Sequence, residues 1–175
     1  MNETSIPVKK HILKYGLILG VTSIFYGLIL FLTKNYTQQN WVNTAITALI
    51  LVLIVVYGIY KYKSANEGFI KLIEALKVGI GIAVIGGIIS IISHILITSA
   101  IEPDIITQTI DIQKNEMIKR NPNLSQEEVD KSIALIEKFN SPSITAIFAL
   151  IWNLFAGFLI SLISGAIMQK QRNPF

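Results

Sequence analysis

With 175 residues, 52% of them hydrophobic and only 15% charged, and a mean hydropathy of +0.58, the chain is too apolar for an ordinary water-soluble domain. It has no cysteine, which excludes disulfides and thiolate metal sites, and His11 and His94 are its only histidines. The net charge of +4 is spread beside apolar runs instead of gathered into the cluster a phosphate track needs, so no nucleic-acid partner is expected.

A hydrocarbon core of about 30 Å takes about 20 apolar residues in a helix, because unpaired backbone groups in lipid are costly. The first stretch to meet this runs over about 15–32. Lys9, Lys10 and Lys14 precede it in the manner of a secretory leader, but it is too long for one. It also ends on Leu32-Thr33-Lys34-Asn35 with no small-residue cleavage pattern, so a retained helix is expected. A tight polar turn from Thr33 to Asn40 leads to the second span, about 42–60, and predicts an antiparallel hairpin. Tyr36 and Trp41 suit the headgroup level at that turn, and Tyr57, Tyr60 and Tyr62 suit it at the opposite surface.

Ser64 followed by Glu67 has the spacing of a capping box, and Phe69, Leu72, Ile73, Leu76 and Ile80 then recur at helical intervals. This pattern predicts a short interfacial helix over about 65–77 that bends into the third span, about 78–97. The segment over about 102–141 is the only sizeable polar stretch. Ile106, Ile110 and Met117 mark one helical face, and Asn121-Pro122-Asn123 breaks the pattern. Ser125 with Glu128 restarts it as a capping box, and Val129, Ile133 and Ile136 continue an apolar stripe. A helical hairpin follows from this. Ser141-Pro142 then opens the fourth span, about 144–168, because proline at the first helical position loses no hydrogen bond. The fold class expected is an all-α integral membrane protein of a single domain. Its four spans form two antiparallel hairpins, with an extracytoplasmic helical hairpin between the third and fourth.

None of the four spans contains Asp, Glu, Lys or Arg. With the N-terminus inside, the inner side carries Lys9, Lys10, Lys14, Lys61, Lys63, Lys71, Lys77, Lys170 and Arg172 against Glu3, Glu67 and Glu74. The outer side carries Lys34, Lys114, Lys119, Arg120, Lys131 and Lys138 against a larger set of acids from Glu102 to Glu137. Positive charge in short loops marks the cytoplasmic side, so both termini are expected there, with about 100–142 outside.

Within the spans, small residues stand out: Gly16 and Gly20 in the first, Gly79, Ala83 and Gly87 in the third, Gly157, Ser161 and Gly165 in the fourth. Lipid offers no hydrophobic drive for helices to meet, so such stripes mark close backbone approach, either to the chain's own helices or to a partner. His94 is the one imidazole within a span, with Ser90, Ser93 and Asn153 as polar neighbours in prospect. No spanning acid or base exists to receive its proton, so a hydrogen-bonded structural histidine is the simpler reading. Ser161 and Ser164 lie most of a membrane away from His94, which excludes a serine–histidine pair, and two distant histidines make no zinc site. Glu127, Glu128 and Asp130 read as first-turn charges on a helix dipole, and Gly79 and Gly81 belong to a span and not to a phosphate loop. No catalytic, cofactor or metal site is expected, and no enzyme.

Glu74-Ala75-Leu76-Lys77-Val78-Gly79, Glu102-Pro103-Asp104, Asn121-Pro122-Asn123 and Gly157-Phe158-Leu159-Ile160-Ser161-Leu162-Ile163 together resemble an uncharacterised membrane family, domain of unknown function 4199, found mainly in Bacteroidota. The resemblance covers nearly the whole chain. It implies a four-span protein of the bacterial inner membrane with its acidic segment in the periplasm, and brings no catalytic residues. The function expected is that of a non-enzymatic accessory, assembly or interaction subunit. Its partners would be membrane lipids and other membrane subunits or further copies of itself. A small transporter or channel acting as an oligomer is the alternative.

Overall fold

The computed structural model describes residues 7–37 and 40–171. Positions 38 and 39 of the first turn, and Glu3 and Arg172 of the charge pattern, lie outside the described residues. The rest is helical: α1 (Val8–Leu32), α2 (Trp41–Ala65), α3 (Leu72–Leu96), α4 (Asp104–Arg120), α5 (Gln126–Phe139) and α6 (Pro142–Met168), with a π-helical turn, Ile97–Ile101, extending α3. α1, α2, α3 with its π turn, and α6 are each long and apolar enough to cross a membrane, which makes this a multi-pass membrane protein.

Helix ends follow local chemistry. α1 and α2 both stop at a left-handed residue, Lys34 at φ 56° and Glu67 at φ 55°. In each case the next amide returns to a carbonyl of the last turn: Asn35 N to Leu30 O at 2.9 Å, and Gly68 N to Lys63 O at 2.9 Å. Gly68 itself sits at φ 82°, where only glycine is unstrained. At α5, the Ser125 amide donates to Glu128 Oε2 at 2.9 Å and the Glu128 amide donates to Ser125 Oγ at 3.4 Å, closing the capping box. Pro142 opens α6.

The interfacial helix expected over about 65–77 does not form. Nothing in Lys61-Tyr62-Lys63-Ser64-Ala65 breaks a helix, so α2 runs on to Ala65. The Ser64 hydroxyl donates back to Tyr60 O at 3.0 Å instead of capping a new helix. A turn follows, and α3 begins at Leu72, where the Glu74 carboxylate accepts from the Lys71 amide at 2.8 Å. Ile70 is 1% exposed and exchanges two backbone hydrogen bonds with Lys170, 3.0 and 2.9 Å, so this turn is tied to the chain leaving α6.

α3 is the hub of the bundle. It packs most extensively against α1 on one side and α6 on the other, while α2 makes fewer contacts with α1, α3 and α6. The α1–α2 hairpin expected from the short turn is therefore the weaker association. The reason lies in the side chains: α1 offers Gly16 and Gly20 to α3, whereas the first turns of α2, from Trp41 to Leu49, are almost wholly exposed.

The core gathers at the end of the bundle that carries the chain termini. Tyr15, Leu19, Val55, Ile59, Ile82 and Ala83 are buried there. Toward the other end, where α4 and α5 form an arm between α3 and α6, α2 and α6 separate and leave a cavity.

Candidate functional site

The small-residue stripes meet each other. A methyl group on Gly157 would strike Ala83, one on Gly165 would strike Ala75, and one on Gly79 would overlap the Ser161 side chain. Gly87 faces Asn153 in the same way. Each step of four residues along α3 is matched by a step of four back along α6, the signature of an antiparallel seam. Ser161 is fully buried there, and its hydroxyl donates to the Gly157 carbonyl. On the other face of α3, Gly16 meets Ile85 and Gly20 meets Ile89, while Ile12 reaches Gly81 and Leu19 reaches Gly86. The nearly constant offset makes α1 and α3 parallel neighbours. All eight small residues singled out in the sequence thus pack this chain's own helices.

The polar residues Ser90, Ser93, His94 and Asn153 form no hydrogen bond with one another. Ser90 Oγ donates to Gly86 O at 2.9 Å and Asn153 Nδ2 to Ala149 O at 2.8 Å, the carbonyl one turn back being the nearest acceptor for each. Ser93 is half-buried. His94 finds a partner far away in sequence: its Nδ1 shares a 2.7 Å hydrogen bond with the Tyr36 hydroxyl, the rings lying nearly parallel at 14°. Burial raises the Tyr36 hydroxyl above its ordinary pKa, which keeps it a neutral hydrogen-bonding group. The residue assigned to the headgroup level by sequence thus latches the turn after α1 onto α3. His11, at the terminal end, likewise bridges helices, with Nε2 donating to the Gly58 carbonyl at 2.8 Å and its ring against Tyr15 and Tyr62. Both histidines thus join separate parts of the bundle by hydrogen bonds. Among the described residues no three His, Cys, Asp or Glu side chains converge on a metal position.

The cavity is the feature that sequence reading missed. It measures 980 Å³ and is lined by residues of α1, α2, α3 and α6. α1 contributes Leu19, Ser23, Tyr26 and Gly27 at the spacing of one helical face, and α2 contributes Asn43, Thr44, Thr47 and Leu51. Ser90 of α3 and Asn153 of α6 also line it, so two members of the expected polar cluster share one space without bonding. Tyr26 donates across the α1–α2 gap to Asn43 Oδ1 at 3.4 Å. Among the described residues no acidic or basic side chain lines the cavity. A signal existed in the alignment of Ser23, Tyr26 and Gly27 on one face, but nothing in one sequence says which face of α2 it opposes.

At the terminal end, Lys14 lies 5.6 Å from the Tyr15 ring centre, Lys61 5.3 Å from Tyr57 and Lys170 5.4 Å from Phe69. These lysine–aromatic pairs are the chemistry of a membrane–water boundary. The arm is acidic and carries exposed pairs, Arg120 to Glu116 at 3.3 Å and Lys131 to Glu127 at 2.7 Å.

A family model described as "Protein of unknown function (DUF4199)" matches residues 14–170. No curated protein and no solved structure matches the chain.

Proposed function

The chain belongs to the family of unknown function DUF4199, and on that premise we propose that it is a non-enzymatic accessory or assembly subunit of a larger complex in the bacterial inner membrane. The observation that carries this reading is the arm. Leu135 and Phe139, one turn apart on α5, are each 55% exposed, and the Phe139 ring sits 6.1 Å from that of Phe148 on the lipid-facing side of α6. An apolar strip thus continues from α6 out of the spanning region and onto a helix whose other exposed positions, Gln126 and Ala134 apart, are charged. A protein subunit with a neighbouring span and an extramembrane segment would cover both halves at once. The lysines gathered at the terminal end support reading that end as cytoplasmic and the arm as periplasmic.

The test is a photocrosslinking amino acid at Leu135, with Asn115 as the exposed polar control, followed by purification in mild detergent. A discrete adduct formed at position 135 and absent at 115, with the same protein or a second copy co-purifying in fixed ratio, supports the proposal. A monodisperse monomer with no adduct at either position counts against it.

The second reading, a small transporter or channel acting as an oligomer, is favoured by the cavity alone. Passage would require the helices to move, since Tyr15, Val55, Ile59 and Ile82 fill the bundle beyond it. Flux across proteoliposomes that is identical for the wild-type protein and for empty vesicles removes this reading.

A further inference from the structure

Lipid hydrocarbon offers no hydrogen bonds, so side-chain amides in spanning helices are costly unless something meets them. Asn43 and Asn153 both face the cavity. An amide group has two donor hydrogens and two acceptor lone pairs. Asn43 Oδ1 receives only the long bond from Tyr26 at 3.4 Å, and Asn153 Nδ2 donates once, to Ala149 O. The Asn43 Nδ2 group and Asn153 Oδ1 therefore remain available. The Ser90 and Thr47 hydroxyls have given their protons to Gly86 O and Asn43 O, and keep acceptor lone pairs facing the same space.

These groups are staggered in depth. Asn43 stands in the first turn of α2, whereas Asn153 lies about 16 Å along α6, near the middle of a hydrocarbon core about 30 Å thick. The rest of the wall is largely apolar, with Leu51 on α2 and Phe155, Leu159 and Ile160 on α6 deeper than Asn153. The described lining holds no charged side chain, which sets the other condition: a phosphate or ammonium group drawn this deep would lose its water and meet no opposite charge there.

We propose that this cavity binds an uncharged amphiphile, an elongated apolar molecule carrying hydroxyl, ester or ketone groups, which enters sideways from the bilayer. Its polar groups meet Asn43 near the surface and Asn153 and Ser90 at depth, and its chain lies against α2 and α6. This goes beyond the accessory role, and the two stand or fall separately, because the arm plays no part in the cavity.

The probe is a photoactivatable diacylglycerol, compared with a photoactivatable phosphatidylglycerol of the same chains. The full-length protein is reconstituted in nanodiscs of phosphatidylethanolamine and phosphatidylglycerol, and labelled sites are mapped by mass spectrometry. The uncharged probe should concentrate on cavity residues such as Thr47 and Trp152, in clear excess over the anionic probe. Asn153→Leu should lower that labelling about fivefold, the effect of one lost neutral hydrogen bond. Gly27→Phe should abolish it, since a side chain built at Gly27 meets nothing within 4 Å and grows into the cavity. An unchanged melting temperature confirms that this variant is folded, and if it is not, Asn153→Leu decides alone. Equal labelling by both probes means bulk lipid only and overturns the proposal, as does labelling that survives in Asn153→Leu.

Discussion

Ser161 of α6 packs its side chain directly onto the backbone of Gly79 in α3, at a depth where both are buried. No atom fits between them, so the seam depends on the missing side chain at position 79. Gly79→Ala should destabilise the protein by about 1–3 kcal/mol, the usual effect of overpacking. Gly27→Ala is the contrasting case. The position is helical and open, so the added methyl should leave stability unchanged or raise it by about 0.5–1 kcal/mol through helix propensity. Denaturant titrations of both variants in the same detergent check the opposite signs.

Tyr36 and His94 make a second dependence visible. Removing the hydroxyl in Tyr36→Phe should cost about 1 kcal/mol. A double-mutant cycle with His94→Leu should show that the two changes are coupled, because each deletes the same 2.7 Å bond. Strict additivity in that cycle would mean that the latch contributes nothing to stability.

The cap of α5 carries a pH dependence. The amide and hydroxyl of Ser125 hold the Glu128 carboxyl below its ordinary range by bonding to the charged form. A carboxyl with a depressed folded-state pKa contributes its full stabilisation above the ordinary value, about 4.3, and loses it as pH falls through the folded value. The protection of the Val129 amide, whose N–H bonds Ser125 O at 3.0 Å, should therefore fall as the pH drops below that range, once its exchange is corrected for the intrinsic slowing of amide exchange in acid. Glu128→Gln should remove most of the dependence.

How much of this was legible in the sequence depends on the range of the interaction. The charge-free runs, Pro142 at the head of α6 and the Ser125–Glu128 cap are local, and each is visible in a few consecutive residues. Ser64 and Glu67 show the limit of that method: their spacing suits a cap, but no breaker precedes them, and the helix already under way absorbed Ser64. The glycine stripes announced that helices approach closely, yet the pairing of Gly16 with Ile85, and of Gly157 with Ala83, is a tertiary choice. Tyr36 and His94 lie 58 positions apart, so no local pattern joins them. The cavity was hidden for a further reason, since it arises from the divergence of α2 from α6, and divergence leaves no mark in hydropathy.

The orientation and the four crossings together form the central claim, and the lack of native cysteine allows a direct measurement. Asn123→Cys, at the exposed break between α4 and α5, and Gln169→Cys, exposed just after α6, are treated separately with a membrane-impermeant maleimide. In intact spheroplasts position 123 should react and position 169 should not, and lysis should bring position 169 to full labelling. Labelling of both positions before lysis, or of position 169 alone, would contradict the account.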